Sequence, residues 1–136
     1  MLDQPAPAAY HRGMKHIVLF AHGARDPEWA RPLEAIRDRL AALSPQTPVT
    51  LAFLEFMQPG LVEAVEALAS RRVTDIMVVP VFLAQGGHLK RELPEKVAQL
   101  RARHPQLRID VQPAIGEQAA VIEAIARSIS ALGLPG

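Results

Sequence analysis

At 136 residues the chain is long enough for one domain with a substantial core and short for two. Fifteen Lys and Arg against fourteen Asp and Glu leave a net charge of +1, so no basic field points to nucleic acid or an anionic membrane, and a hydrophobic share of 49% is ordinary for a soluble globular protein. There is no cysteine, which excludes disulfides, thiolate metal sites and a Cys nucleophile and fits a reducing, cytoplasmic setting.

Met1 to Gly13, with Pro5, Pro7 and several alanines but no periodicity, reads as a disordered leader, and residues 14–136 as a single α/β domain. The leader lacks the charged-then-apolar order of a signal peptide, and no apolar run is long enough to span a bilayer. A first strand is expected at about His16 to Ala21 and a first helix at Pro27 to Leu43, with Asp26 as N-cap and Pro27 as the first helical residue. Trp29, Leu33, Ile36, Leu40 and Leu43 recur at three-and-four spacing and predict a buried helix face. Ser44-Pro45 stops that helix.

A second strand reads at Val49 to Glu55, and a second helix begins near Pro59 with Leu61, Val65 and Leu68 on one face. The third strand, Asp75 to Leu83, is interrupted by Pro80, which cannot donate to a ladder. The third helix begins either near His88, accommodating Pro94, or afresh at Pro94; it buries Val97 and Leu100 and ends at His104-Pro105. His104 reads as a cap, where an imidazolium suits the helix dipole. A fourth strand at Arg108 to Gln112 and a fourth helix at Glu117 to Leu132, burying Ile122, Ile125, Ile129 and Leu132, complete the chain.

Four strands alternating with four helices, none with a clean two-residue alternation, predict a parallel sheet covered by helices on both faces. The expected strand order is 2-1-3-4. In that order the winding reverses between the first and third strands, and a crevice opens at their carboxyl ends. Two histidines fall there, each just past an apolar run and beside glycine: Ala21-His22-Gly23 and Gly86-Gly87-His88. Neighbouring strands are about 4.8 Å apart, so both imidazoles can face one ligand, with Glu55 on the next loop. Imidazole and carboxylate suit Fe, Co, Ni, Cu and Zn, and a histidine titrating near pH 6.5 also accepts protons.

Arg25, Arg31, Lys90 and Arg91 lie on or near the same loops and can meet anionic groups. Phe53, Phe56, Met57, Phe82 and Leu83 are candidates for an apolar wall, with Phe53 and Phe82 equally suited to the core and Met57 and Leu83 better suited to a pocket or subunit contact. Trp29 reads as a packing residue, and His11 and His16 are given no role. Dinucleotide, P-loop and Gly-x-Ser-x-Gly motifs are absent. The His-Gly pair is not a histidine-phosphatase motif, because Ala21 stands where that family has arginine.

Three segments together carry a resemblance: Ala21-His22-Gly23-Ala24-Arg25-Asp26-Pro27, Ala52-Phe53-Leu54-Glu55, and Val79-Pro80-Val81-Phe82-Leu83 followed by Gly86-Gly87-His88. In order and spacing the chain resembles the short form of the sirohydrochlorin cobaltochelatases, among the class II tetrapyrrole metal chelatases. The resemblance implies a half domain that pairs as a homodimer and inserts cobalt or ferrous iron into sirohydrochlorin, for cobalamin or siroheme synthesis. It implies that His22 and His88 bind metal and act in catalysis, with Glu55 as a metal or proton partner. Arg25, Lys90 and Arg91 would meet the substrate carboxylates. The divalent metal (Co2+, Fe2+ or Ni2+) is then a substrate, and no tightly bound cofactor is expected. Partners are the tetrapyrrole, the metal ion and a second copy, with neither nucleic acid nor membrane. A nickel chelatase on a related tetrapyrrole, and a non-enzymatic metal carrier or sensor, are the competing readings.

Overall fold

A computed structural model of the chain describes residues 15–133; the leader expected at Met1 to Gly13 lies outside the described residues. The strands are β1 (Lys15–Ala21), β2 (Val49–Phe53), β3 (Asp75–Pro80) and β4 (Arg108–Val111). All pair in parallel in the order β2-β1-β3-β4, as expected from the alternation of strands and helices. The helices are α1 (Arg31–Leu43), α2 (Leu61–Ser70), α3 (Gly87–Arg103) and α4 (Ala119–Ser130). No described helix is long and apolar enough to cross a membrane.

The two faces of the sheet are packed differently. Val18, Phe20, Ile76 and Val78 point into a closed core completed by Val65 and Leu68 of α2 and Val97 and Leu100 of α3. Ile17, Leu19, Val79 and Val81 point the other way, toward α1 and α4. Apolar side chains on both faces, one packed into the closed core and the other lining the space between α1 and α4, are why the strand sequences run apolar without alternation.

Local signals set most boundaries. Asp26 caps as its position suggests, its Oδ1 accepting the Glu28 N–H at 3.0 Å. The first helix is nonetheless split: Pro27–Ala30 is a single 3-10 turn, and α1 begins at Arg31 with Pro32 in its first turn, where the missing N–H costs no helical bond. Strand β2 ends at Phe53 rather than Glu55, and β3 ends at Pro80. Helix α3 starts at Gly87 and runs through Pro94, which lies on its exposed side.

The apolar stripes of α1 and α4 are not buried as their periodicity predicts. Of the α1 stripe only Leu33 is buried; Leu43 is 64% exposed, and Trp29 in the preceding turn, expected to pack, is 37% exposed. Helix α4 buries none of its residues: Ile122, Ile125 and Ile129 stand open, as does Leu132 just past its end. The two helices flank their sheet face instead of closing over it. Between them lies a groove of about 660 Å3 lined by Ile17, Leu19, Leu40, Val79, Val81 and Val121, almost without polar atoms. Both helices are amphipathic toward a surface that the described residues do not themselves cover.

Two histidines serve the scaffold. His16 is buried at the start of β1, its Nε2 2.7 Å from Thr50 Oγ1 on β2. His104 is the C-cap of α3 through its backbone N–H, which donates to the Leu100 carbonyl. Its ring reaches to α2 rather than to its own helix end, placing Nε2 2.7 Å from Glu66 Oε1, and Arg103 binds the other carboxylate oxygen at 2.6 Å.

Burial, and secondarily the Arg71 charge, hold the His16 imidazole below its usual pKa. Protons then bind the unfolded chain in preference as pH falls below about 6.5, so the stability present above that value is lost toward the lower folded pKa. Glu66 is held below the usual carboxylate range chiefly by the His104 hydrogen bond, with Arg103 assisting, so its contribution is lost only below pH 4.5. Chemical denaturation at pH 7.5 and pH 5.5 should therefore show lower stability at the acid value, and His16→Gln should make the difference smaller. An unchanged difference would remove His16 as its source.

Candidate functional site

The site begins where β1 ends. The parallel ladder continues past the strands: the Leu54 N–H donates to the Ala21 carbonyl at 2.8 Å and the Glu55 N–H to the His22 carbonyl at 3.0 Å. On the other side the Val81 N–H donates to the Phe20 carbonyl at 2.7 Å. The loop bearing His22 is thus held against the Glu55 segment on one side and the start of the β3 loop on the other.

Gly23 makes the first of these contacts possible. It has φ +88, and a Cβ there would sit 1.9 Å from the Glu55 carbonyl oxygen. Both the backbone conformation and the close approach require glycine. The neighbouring His22 is exposed, but its ring lies on Phe82 with centroids 4.5 Å apart at 54°. Phe82 is buried and meets Phe20 edge-on at 5.9 Å, so an aromatic column rising from the core orients the imidazole.

His88 lies in the first turn of α3, beyond the Gly86-Gly87 pair. Its ring is 77% exposed, with Nε2 2.7 Å from Glu92 Oε2 one turn further along the helix. Lys90 and Arg91 are exposed on the same turn. Glu55 is exposed on the loop after β2. Arg25 lies with its guanidinium 4.6 Å over the Phe56 ring, a cation–π contact in which Phe56 itself has φ 68. Arg31 is turned to Glu28 at 3.6 Å.

The five apolar candidates divide. Phe53 and Phe82 are core, and Met57 packs half-buried against the small cluster of Ala21, Leu33 and Phe53. Phe56 and Leu83 remain on the surface, Leu83 at 73% exposure. Leu83 is held from behind by Gly116, where a Cβ would come within 2.4 Å of the Leu83 Cα. An exposed phenyl and an exposed leucine therefore stand on the loops after β2 and β3, on either side of the loop that bears His22.

His22 and Glu55 lie on the loops following β1 and β2, and His88 lies past the β3 loop in the first turn of α3, all beyond the carboxyl edge of the sheet. Among the described residues no three His, Asp or Glu side chains gather closely enough to form a ready metal cage. Glu92 was not singled out by sequence reasoning. Its only signal is the spacing His88-x-x-x-Glu92, one helical turn, which reads equally well as a solvated surface pair.

The strand order and the helices on both sides of the sheet define a doubly wound α/β protein whose topological switch point lies between β1 and β3. The chain belongs to the CbiX family, which it matches over residues 16–132. It is 28% identical over 123 residues to the sirohydrochlorin ferrochelatase of Bacillus subtilis strain 168, covering 90% of this chain and 47% of that protein. It is 38% identical over 82 residues to the sirohydrochlorin cobaltochelatase of Methanopyrus kandleri, covering 60% of this chain and 57% of the relative. The chain thus spans about half the length of these curated relatives. Among solved structures, a CbiX protein of Marinobacter aquaeolei VT8 ascribed to cobalamin (vitamin B12) biosynthesis superposes with a TM-score of 0.76 at 27% identity, covering 87% of this chain and 96% of that one.

The strict demand at position 23 is open to a stability test. Gly23→Ala should cost more than about 1 kcal/mol, since alanine is strained at positive φ and its Cβ strikes backbone. Gly86→Ala, where an added Cβ meets nothing within 4 Å, should change stability little. Equal denaturation midpoints for Gly23→Ala and wild type would contradict the packing described.

Proposed function

We propose that the protein is a metal chelatase that inserts a divalent metal, cobalt or ferrous iron, into sirohydrochlorin, within cobalamin or siroheme biosynthesis in the cytoplasm. The observation that carries this reading is the placement of His22 on the loop after β1 and of His88 in the first turn of the helix that follows β3, both exposed beyond the carboxyl ends of the two adjacent central strands of a CbiX-family fold. The ferrochelatase and cobaltochelatase names of its relatives supply the substrate class.

Metallation exchanges two pyrrole N–H protons for one divalent ion while the hydrated metal sheds water. His22 and His88 supply neutral imidazole nitrogens to bind the incoming ion and to accept protons, and Glu55 adds a carboxylate that favours both the cation and a departing proton. The ion is consumed as a substrate, so an open set of separate donors serves turnover better than a closed four-ligand cage. Phe56 and Leu83 offer apolar contact to a flat macrocycle, and Arg25, Lys90 and Arg91 offer charge to its peripheral carboxylates.

The reading includes a homodimer. The apolar groove between α1 and α4, together with the open isoleucines of α4, is the kind of surface a partner covers. The Bacillus subtilis relative, of which the match covers 47%, is about twice this length, which is consistent with a second copy here in place of a second half.

Metallation of sirohydrochlorin, followed through the change in tetrapyrrole absorbance, should proceed faster with the protein than without it. His22→Ala and His88→Ala should each lower kcat/KM by at least about 100-fold, the scale of a lost acid–base group, with thermal stability unchanged. Wild-type rates in both variants would refute the assignment. Sedimentation should give a dimer that Ile125→Asp dissociates; a monomeric wild type would refute the pairing.

A further inference from the structure

We infer that Glu92 is a positioning residue for His88: its carboxylate takes the imidazole Nε2–H and commits Nδ1, the other ring nitrogen, to the metal ion or the departing proton. This rests on the role given to His88 above. The 2.7 Å contact joins Nε2 to Glu92 Oε2. An ionised carboxylate can only accept, so the nitrogen facing it must carry the hydrogen. In a neutral imidazole the lone pair is then on Nδ1, and the tautomer is fixed.

The setting gives this contact a purpose beyond holding the helix together. His88 is 77% exposed, with two side-chain torsions that would otherwise sweep freely through solvent. Glu92 is less exposed, at 38%, and lies on the same rigid helix. The bond therefore ties a mobile ring to a fixed frame. A surface pair one turn apart adds little to helix stability, whereas a carboxylate behind a ligating imidazole orients the ring and strengthens it as a donor. Charge runs the same way: the amino end of α3 disfavours a cation, and the nearby anion offsets that penalty when a metal ion binds. The neighbouring Lys90 and Arg91 are left available for substrate.

The experiment compares wild type, Glu92→Gln, Glu92→Ala and His88→Ala. Two-bond nitrogen–proton NMR on metal-free protein should show the Nε2–H tautomer at His88 in wild type and a mixture in Glu92→Ala. Titration with Co2+ alone, read by visible absorption, should show affinity about 10–100-fold weaker in Glu92→Ala. Glu92→Gln, which keeps an acceptor but loses the charge, should fall between. In the metallation assay kcat should drop in Glu92→Ala while KM for sirohydrochlorin holds and the melting temperature is unchanged. A wild-type Nδ1–H tautomer, or Co2+ affinity and kcat unaltered in Glu92→Ala, would overturn the inference. If wild type fails to metallate sirohydrochlorin, the proposed function falls, while the tautomer and Co2+ readings still decide the role of Glu92.

Discussion

The ladder on both sides of β1 is the constraint on which the rest of the molecule depends. β1 is hydrogen-bonded in parallel to β2 and to β3, and the bonding continues past the strands to the Ala21 and His22 carbonyls. Parallel pairing brings the carboxyl ends of all the strands to one edge. The order β2-β1-β3-β4 makes that edge the point where the winding reverses. His22, Glu55 and the loop leading to His88 are close neighbours for this reason, although they are far apart in sequence.

Side-chain placement at the edge then follows from two close contacts of unlike kind. Gly23 lets the β1 loop touch the Glu55 backbone, where any side chain would collide. The column of Phe20, Phe82 and His22 carries order from the packed core to an exposed imidazole. His88 has no such column and takes its order from its own helix through Glu92. The two histidines are therefore held by different physics: one by aromatic packing, the other by a charge-assisted hydrogen bond.

The sheet was legible in the sequence because each signal there is local. Unbroken apolar runs, Pro80 at the end of β3, Asp26-Pro27 at a helix start and Ser44-Pro45 at a helix end all act within a few residues. What could not be read is which surface a stripe faces. Ile36, Leu43, Ile122 and Ile129 have helical spacing whether they pack into their own core or stand ready for another molecule, and the structure leaves them open. Trp29 was misread for the same reason. At the candidate site, the positions of His22 and Glu55 just past β1 and β2, and of His88 just past the glycine pair that opens α3, were legible from the strand pattern and the glycines beside them. Glu92 was not, because its partner lies on its own helix and nothing local distinguishes that pair from a solvated one.

The central claim is that His22 and His88 engage the same metal ion at the switch-point edge. Anomalous diffraction from crystals soaked in Co2+ tests it most directly. The account predicts a cobalt peak with one imidazole nitrogen of each histidine at about 2.1 Å, a normal imidazole–metal distance. Cobalt bound elsewhere on the molecule, with neither His22 nor His88 as a ligand, would contradict it.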